Sequence, residues 1–244
     1  METFLVISIL LLSTFTFSYA GFGFSMLSVP LLSLIYPAAE AVAFQFTYAL
    51  FLVFYQAYYF RGKIIWKNFL PLAIGAIICM PIGAYALQTF PDELLNRFLS
   101  VFLVFAVAIN RSFFASRVAE LFKNSFLWGL PFGAISGLIQ GAYTTGGPPA
   151  VVYVRSAVID PSAAKSILGL YFSMIYLFML PVLAFGGLFN QKILLKSLFY
   201  SPVIVIGTVA GAILFQKTGK NENYQLIVDL LLLIAAILLW NKLQ

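Results

Sequence analysis

The sequence predicts an all-α integral membrane protein with about eight hydrophobic elements in two repeated halves, the first and fifth elements being broken. Of its 244 residues, 62% are hydrophobic and 9% are charged, whereas a soluble domain has about 25% charged residues. The charges fall between long uncharged stretches, which is the pattern of membrane helices joined by short loops. Two of those stretches carry a similar interruption by glycine and proline, and this recurrence predicts the two halves.

The first element is a stretch without charge from Thr3 to Ala39. As a single helix it would be about 55 Å long, whereas about 20 residues suffice to cross a bilayer. Residues 21–30 read GFGFSMLSVP, and glycine frees the backbone while proline removes a donor. We therefore expect a helix that breaks at Gly21 and Gly23 and continues as a half-length piece over Val29–Tyr36.

Three further elements complete the first half. Charged, Pro-containing or polar segments separate them, and Pro91-Asp92-Glu93 has the composition of a helix start. The expected spans are Ala41–Phe60, Asn68–Phe90 and a fourth ending at Asn110, with a basic loop at Arg61–Lys67 and a long polar connection at Arg111–Lys123.

The second half begins with the uncharged stretch Asn124–Val154, in which residues 141–149 read GAYTTGGPP. We expect this element to break at Gly141 and again at Gly146. The remaining spans are predicted from Asp160 to Leu188, over Ser197–Gln216 and over Tyr224–Trp240.

Matching residues recur in the same order in both halves, which indicates a gene duplication. The matches pair Gly23 and Pro30 with Gly141 and Pro148, Pro37 with Pro161, and Gly83, Ala84 and Gln88 with Gly211, Ala212 and Gln216. The predicted division is therefore a first membrane repeat at residues 1–112, a connecting loop at 113–123 and a second repeat at 124–244.

Two topologies are compatible with this pattern. If each broken element crosses the membrane once, eight crossings give parallel halves. If each is a re-entrant hairpin, each half crosses three times and the halves are inverted, which the short pieces after the breaks favour. Both topologies place the Arg61–Lys67 and Arg111–Lys123 loops in the cytoplasm of a multi-pass cell-membrane protein, by the positive-inside rule.

Composition excludes several classes of function. The chain has no histidine and one cysteine, Cys79, so the commonest metal ligand and general base are missing. We find no catalytic residues, no metal site, no cofactor motif and no nucleotide-binding loop. The net charge of +6 comes from basic loop residues that set topology, so nucleic acid is not an expected partner. Because the sequence has no catalytic motif, we do not expect an enzyme.

The breaks themselves carry the expected chemistry. Where a helix restarts, its first N–H groups lack partners and its dipole is positive, so the end binds anions. Two such ends, one from each half, are expected to hold one small anion near the middle of the bilayer. For the polar side chains, hydrogen bonds between helices are the alternative. The candidate substrate-binding residues are Gly21, Gly23, Ser25, Pro30, Gln45, Tyr48, Gln140, Gly141, Tyr143, Thr144, Thr145, Gly146, Gly147, Pro148 and Arg155.

Two charges lie inside or beside the predicted spans. Arg155 follows the second break and either attracts the anion or extends to the membrane interface. Asp229, in the last span, either carries a coupling proton or sodium ion or pairs with a basic residue.

The two breaks resemble those of the TauE/SafE family of sulfite exporters. The resembling segments are Gly21–Pro30, Thr144–Pro148 and the RGKIIW segment at Arg61–Trp66; Ser25-Met26-Leu27 departs from the glycines commoner in the family. The resemblance implies a secondary transporter of small anions, such as sulfite or organosulfur and carboxylate anions, moved outward across a lipid bilayer by alternating access. An anion channel and a non-transport membrane scaffold are the alternative readings.

Overall fold

A computed structural model describes residues 2–20, 23–59, 62, 64–111, 126–158, 160–218 and 222–241. These residues form ten α-helices and no strand, which confirms the all-α prediction. The helices are α1 (Glu2–Ala20), α2 (Phe24–Leu32), α3 (Ala38–Tyr59), α4 (Trp66–Thr89), α5 (Asp92–Arg111), α6 (Phe126–Tyr143), α7 (Gly147–Ala157), α8 (Pro161–Phe185), α9 (Gln191–Thr218) and α10 (Glu222–Asn241).

Five helices of the described chain are long and apolar enough to cross a membrane, which agrees with a multi-pass membrane protein. Large apolar side chains on these helices, among them Phe51, Leu198 and Phe199, are exposed. Such surfaces are unfavourable in water and favourable against lipid. The segments that are long enough to cross are Glu2–Tyr19, Ala38–Tyr58, Trp66–Thr89, Ser166–Phe185 and Gln191–Leu214.

The half-length piece of the first element starts earlier than the sequence suggested. It is α2, Phe24–Leu32, and the expected Val29–Tyr36 is wrong because residues 33–36 form a turn. Gly23 has φ 99°, a conformation glycine adopts without the strain a side chain would add. The chain therefore changes direction at one residue and restarts a helix immediately.

The second broken element, which is the fifth predicted element, breaks later than expected. Helix α6 continues to Tyr143, so the predicted break at Gly141 is wrong. The amide of Thr144 still donates to the carbonyl of Gln140 at 2.8 Å, and Thr144 then turns with φ 53°. The residue before the restarted helix is Gly146, just as Gly23 precedes α2.

The second broken element is a helical hairpin. Gly146, at the start of α7, lies against Ser136 of α6. Tyr153, about two turns further along α7, lies against Gly129 and stacks on Phe132 with ring centroids 6.0 Å apart. Contacts that advance along α7 and go back along α6 mean that the two helices are antiparallel.

The first broken element also folds back on itself. Gly23 lies near the side chain of Thr16, and α2 packs against α1. After α2, Tyr36 donates a hydrogen bond of 2.7 Å to Glu2 at the start of α1. Burial and this hydrogen bond raise the pKa of Tyr36, so its hydroxyl keeps the proton that it donates. The chain thus returns by residue 36 to the level at which α1 began.

The helices group into two compact units. In the first unit, Met1–Ala49, Phe90–Val107 and Leu188–Gln244, helix α1 packs along α9 and α10 packs against α2. In the second, Leu50–Thr89 and Ala108–Gly187, helix α4 packs along α6, and α8 packs on α4, α6 and α7. The predicted repeats are a different division of the chain and stay a prediction; the 113–123 loop lies outside the described residues.

Candidate functional site

The first break presents backbone donors at the start of α2. The helix begins after Gly23, which has no side chain to cap it. Leu27 closes a helical turn by donating to the carbonyl of Gly23 at 3.2 Å. Phe24, Ser25 and Met26 precede Leu27 in the first turn of α2. All three residues are buried, so the positive end of the α2 dipole lies inside the protein.

Two predicted residues meet at this break. Ser25 donates a hydrogen bond of 3.0 Å to Oε1 of Gln45, whose side chain is buried in α3. Pro30 is buried further along α2, about 9 Å from its start. Tyr48 instead donates to the carbonyl of Ser197 at 2.8 Å, the helix–helix bond that the sequence left open as an alternative. Gly21 lies outside the described residues.

The second break is formed by Thr144, Thr145 and Gly146, between α6 and α7. Gln140, in the last turn of α6, accepts the N–H of Gly146 through Oε1 at 3.1 Å. A backbone N–H cannot donate to the amide nitrogen, so this bond fixes which way the side-chain amide faces. Gln140 therefore caps the restart and turns its NH₂ group away from Gly146.

Two polar atoms at this break are buried without a hydrogen-bond partner: Nε2 of Gln140 and Oγ1 of Thr145. Their residues are 1% and 2% exposed. An unpaired buried polar atom costs about 1–3 kcal/mol, and such atoms are rare in native proteins. Both atoms can donate a hydrogen bond, so the break has the donors that an anion needs.

Three residues that sequence reasoning missed support the second break. Tyr171 donates to Ser136 at 2.7 Å, Ser136 donates to the carbonyl of Gly146, and Tyr176 donates to the carbonyl of Thr144 at 2.9 Å. Ser136 lies one turn before Gln140, so helical spacing is the signal that points to it. Nothing local points to the tyrosines, because α8 reaches the break only through tertiary packing.

Glycine has different uses at neighbouring positions of this break. A side chain at Gly146 would meet Ser136 and Gln140, whereas a Cβ at Gly147 would find only Phe172, at 3.7 Å. The approach to the first residue of α7 is therefore open. Pro148 and Pro149 lie in the first turn of α7 and have no N–H. Helix α7 thus offers fewer backbone donors than α2, and side chains supply the rest.

The remaining predicted residues do not lie at the open part of the break. Gly141 lies in α6, where its missing side chain makes room for the backbone of α4 at Met80 and Ala84. Tyr143 is buried in the last turn of α6. Arg155 is exposed in the last turn of α7, about 12 Å along the helix from Gly147. The groups that converge on the break are neutral.

A family model described as "Sulfite exporter TauE/SafE" matches residues 5–239. The chain belongs to the TauE/SafE sulfite exporter family. This is a family of membrane transporters for sulfite and related anions and not of enzymes, so the resemblance seen at the two breaks is confirmed. No curated protein and no solved structure matches the chain.

Proposed function

We propose that this TauE/SafE protein is a secondary transporter that binds a small oxyanion, sulfite or an organosulfur or carboxylate anion, at the second break. The observation that carries the proposal is the pair of buried, unpartnered atoms, Nε2 of Gln140 and Oγ1 of Thr145. An oxyanion accepts both hydrogen bonds and removes their cost. The N-terminal residue of α7, Gly147, lies two residues after Thr145, and a Cβ there would meet only Phe172, at 3.7 Å.

Neutral donors suit a transporter better than a fixed positive charge. A helix end and a few hydroxyl or amide donors stabilise a desolvated anion without forming the strong ion pair that slows release. The start of α2 at the first break offers the same kind of chemistry, because its buried N-terminus carries the positive end of the helix dipole.

The topology that we propose is the inverted one. Helices α2 and α7 have 9 and 11 residues, about 14 and 16 Å, roughly half of a hydrocarbon core of about 30 Å. Each folds back along the helix before it, so each hairpin begins and ends on one side of the membrane. Each half then crosses three times, and the Arg61–Lys67 and Arg111–Lys123 loops are cytoplasmic by the positive-inside rule. We place the protein in the cell membrane.

Transport by alternating access fits paired hairpins in inverted halves. An inside-negative potential favours anion export by about 2.3 kcal/mol per charge for each 100 mV, so no ATP is required. For a coupling proton or sodium ion, the candidate is Asp229. It is the one buried acidic side chain among those the structure describes, and its helix, α10, packs against α2.

Binding of anions to the purified protein tests the proposal. A ligand that binds only the folded state stabilises it by about 2.7 kcal/mol at a hundredfold excess over its Kd. The melting temperature is measured with sulfite, thiosulfate, sulfate, sulfoacetate, taurine, lactate and chloride. We expect one or more oxyanions to raise it, and Thr145→Val and Gly147→Trp to abolish the rise.

The matched control is Thr208→Val. The Thr208 hydroxyl bonds within α9, to the carbonyl of Ile204 at 2.7 Å, so its loss should leave the anion response intact. A folded wild type that no anion stabilises contradicts the proposal, as does equal stabilisation of wild type and Thr145→Val.

Flux experiments separate the two alternatives. A fixed anion channel shows no counterflow of labelled against unlabelled anion in vesicles, whereas a carrier does. A membrane scaffold keeps its cellular role when Gly147→Trp fills the space at the start of α7.

A further inference from the structure

We infer that the second break selects fully ionised oxyanions, which accept hydrogen bonds and have no hydrogen to donate. This inference rests on the proposed function, because it concerns the same binding site. It names the protonation state of the substrate: sulfite rather than bisulfite, and sulfonates rather than anions that carry an acidic hydrogen.

Four acceptors at the break each already hold a hydrogen bond. The carbonyl of Thr144 accepts from Tyr176 at 2.9 Å, and the carbonyl of Gly146 accepts from Ser136. The carbonyl of Tyr143 accepts from the Thr144 hydroxyl at 2.6 Å. Oε1 of Gln140 accepts from Gly146 at 3.1 Å. A ligand that brings its own hydrogen therefore meets acceptors that already hold one.

Both groups left unpaired, the Gln140 amide and the Thr145 hydroxyl, can donate to a ligand. The amide of Gln140 presents its NH₂ group, because its oxygen is held by Gly146. The Thr145 hydroxyl has no partner and can rotate its hydrogen towards a ligand. Both side chains are almost fully buried, so water is a poor substitute for the missing acceptor. An oxygen without hydrogen fits both donors.

Protonation of the ligand should weaken binding. A hydrogen on the oxygen facing Gln140 places two donors against each other and leaves the buried amide unpaired. The cost of an unpaired buried group corresponds to about tenfold or more in affinity. Sites that pair with the hydrogen-bonding pattern of their ligand reject analogues with the wrong pattern in this way.

The test compares sulfite with methanesulfonate on the purified full-length protein. Sulfite takes up a proton near neutral pH, whereas methanesulfonate stays ionised, so the sulfonate reports any titration of the protein itself. We expect the apparent affinity for sulfite, from ligand-dependent melting, to rise about tenfold or more from mildly acidic to mildly basic pH. The affinity for methanesulfonate should stay flat.

The outcomes distinguish this inference from the proposed function. Equal pH profiles for both anions overturn the selection of ionised ligands and leave anion binding intact. If neither anion binds to a folded protein, both the inference and the proposed function are overturned. A sulfite affinity that falls as the pH rises also overturns the inference.

Gln140→Glu tests the donor directly. A carboxylate still accepts the N–H of Gly146 but presents an acceptor to the ligand in place of NH₂. We expect methanesulfonate binding to become pH-dependent, present when the introduced carboxyl group is protonated and lost at basic pH. Gln88→Glu, the same change at an exposed position in α4, should bind as the wild type does. A flat, unchanged profile in Gln140→Glu overturns the inference; should this variant not fold, Thr145→Val must weaken methanesulfonate binding about tenfold.

Discussion

Gly146 is fixed through both of its backbone polar groups by one face of α6. Its N–H donates to Gln140 and its carbonyl accepts from Ser136, and these two residues are one helical turn apart. The start of α7 is thereby attached to α6 by side chains rather than by a continuous helix. A short, Pro-containing helix keeps its position in this way while its first residue stays open to a ligand.

Ser136→Ala should weaken this attachment. The change removes a hydroxyl that accepts from Tyr171 and donates to Gly146, and it leaves both partners buried. We expect a loss of about 1–3 kcal/mol of stability together with weaker anion binding. Melting temperature and anion-dependent stabilisation in detergent measure the two effects.

The control for that change is Ser201→Ala. The Ser201 hydroxyl donates to the preceding turn of α9, at the carbonyl of Leu198, so both quantities should stay close to those of the wild type. Equal melting temperatures for the two variants would mean that Ser136 does not hold the break.

At the level of elements, glycines separate into those that let helices approach and those that leave the break open. Gly141 faces the backbone of α4, so α4 and α6 lie too close there for a side chain. Gly147 faces Phe172 across an ordinary van der Waals distance of 3.7 Å. The sequence groups both glycines in one motif, although their surroundings differ.

Gly141→Ala and Gly147→Ala should therefore differ in their effect on stability. The first forces α4 and α6 apart, and overpacking of this kind costs about 1–3 kcal/mol; the second fits without displacement of the backbone. We expect a clear fall in melting temperature for Gly141→Ala and little change for Gly147→Ala. A larger fall for Gly147→Ala would contradict the assignment of these two glycines.

The existence of each helix and of both breaks was predictable, because long uncharged runs and Gly–Pro interruptions are local signals. The restart at Phe24 and the end of α6 at Tyr143 were not. Proline is tolerated in the interior of membrane helices, so Pro30 did not mark a boundary. Ser136, Tyr171 and Tyr176 were missed because their contacts exist only once α7 folds back and α8 packs beside it.

At the scale of the whole molecule, equivalent contacts occur in both units. In one, Gly211 of α9 faces the carbonyl of Phe15 in α1; in the other, Gly83 of α4 faces the carbonyl of Leu138 in α6. In the first unit, Ser18 of α1 also donates to the carbonyl of Thr208 in α9. In the second unit, Gly141 of α6 lies against the carbonyl of Met80 in α4. Phe15 and Ser18 have the same spacing along the chain as Leu138 and Gly141. The duplication stays a prediction; the pair that it matches, Gly83 and Gly211, lies on a backbone carbonyl of the neighbouring helix in each unit.

Labelling from outside the cell tests the inverted topology that the hairpins favour. Cys79 is the sole cysteine of the chain, so Cys79→Ala gives a background for single cysteines at Gly62, Asp160 and Gln191. With re-entrant hairpins, only α4 and α5 cross the membrane between Gly62 and Asp160, so both of these positions are cytoplasmic. Helix α8 then crosses and places Gln191 outside.

We therefore expect an impermeant maleimide added to intact cells to label Gln191→Cys and to spare Gly62→Cys and Asp160→Cys. If each broken element instead crosses the membrane once, Asp160 lies outside and Gln191 lies inside with Gly62. The labelling of Asp160→Cys and Gln191→Cys is then reversed. Asp160 accepts the amide of Ala163 at 3.2 Å, a helix cap whose loss costs only about 1 kcal/mol, so the variant should keep its topology. Labelling after permeabilisation checks that each cysteine is reactive, and a pattern with Asp160→Cys labelled from outside would exclude the hairpin topology.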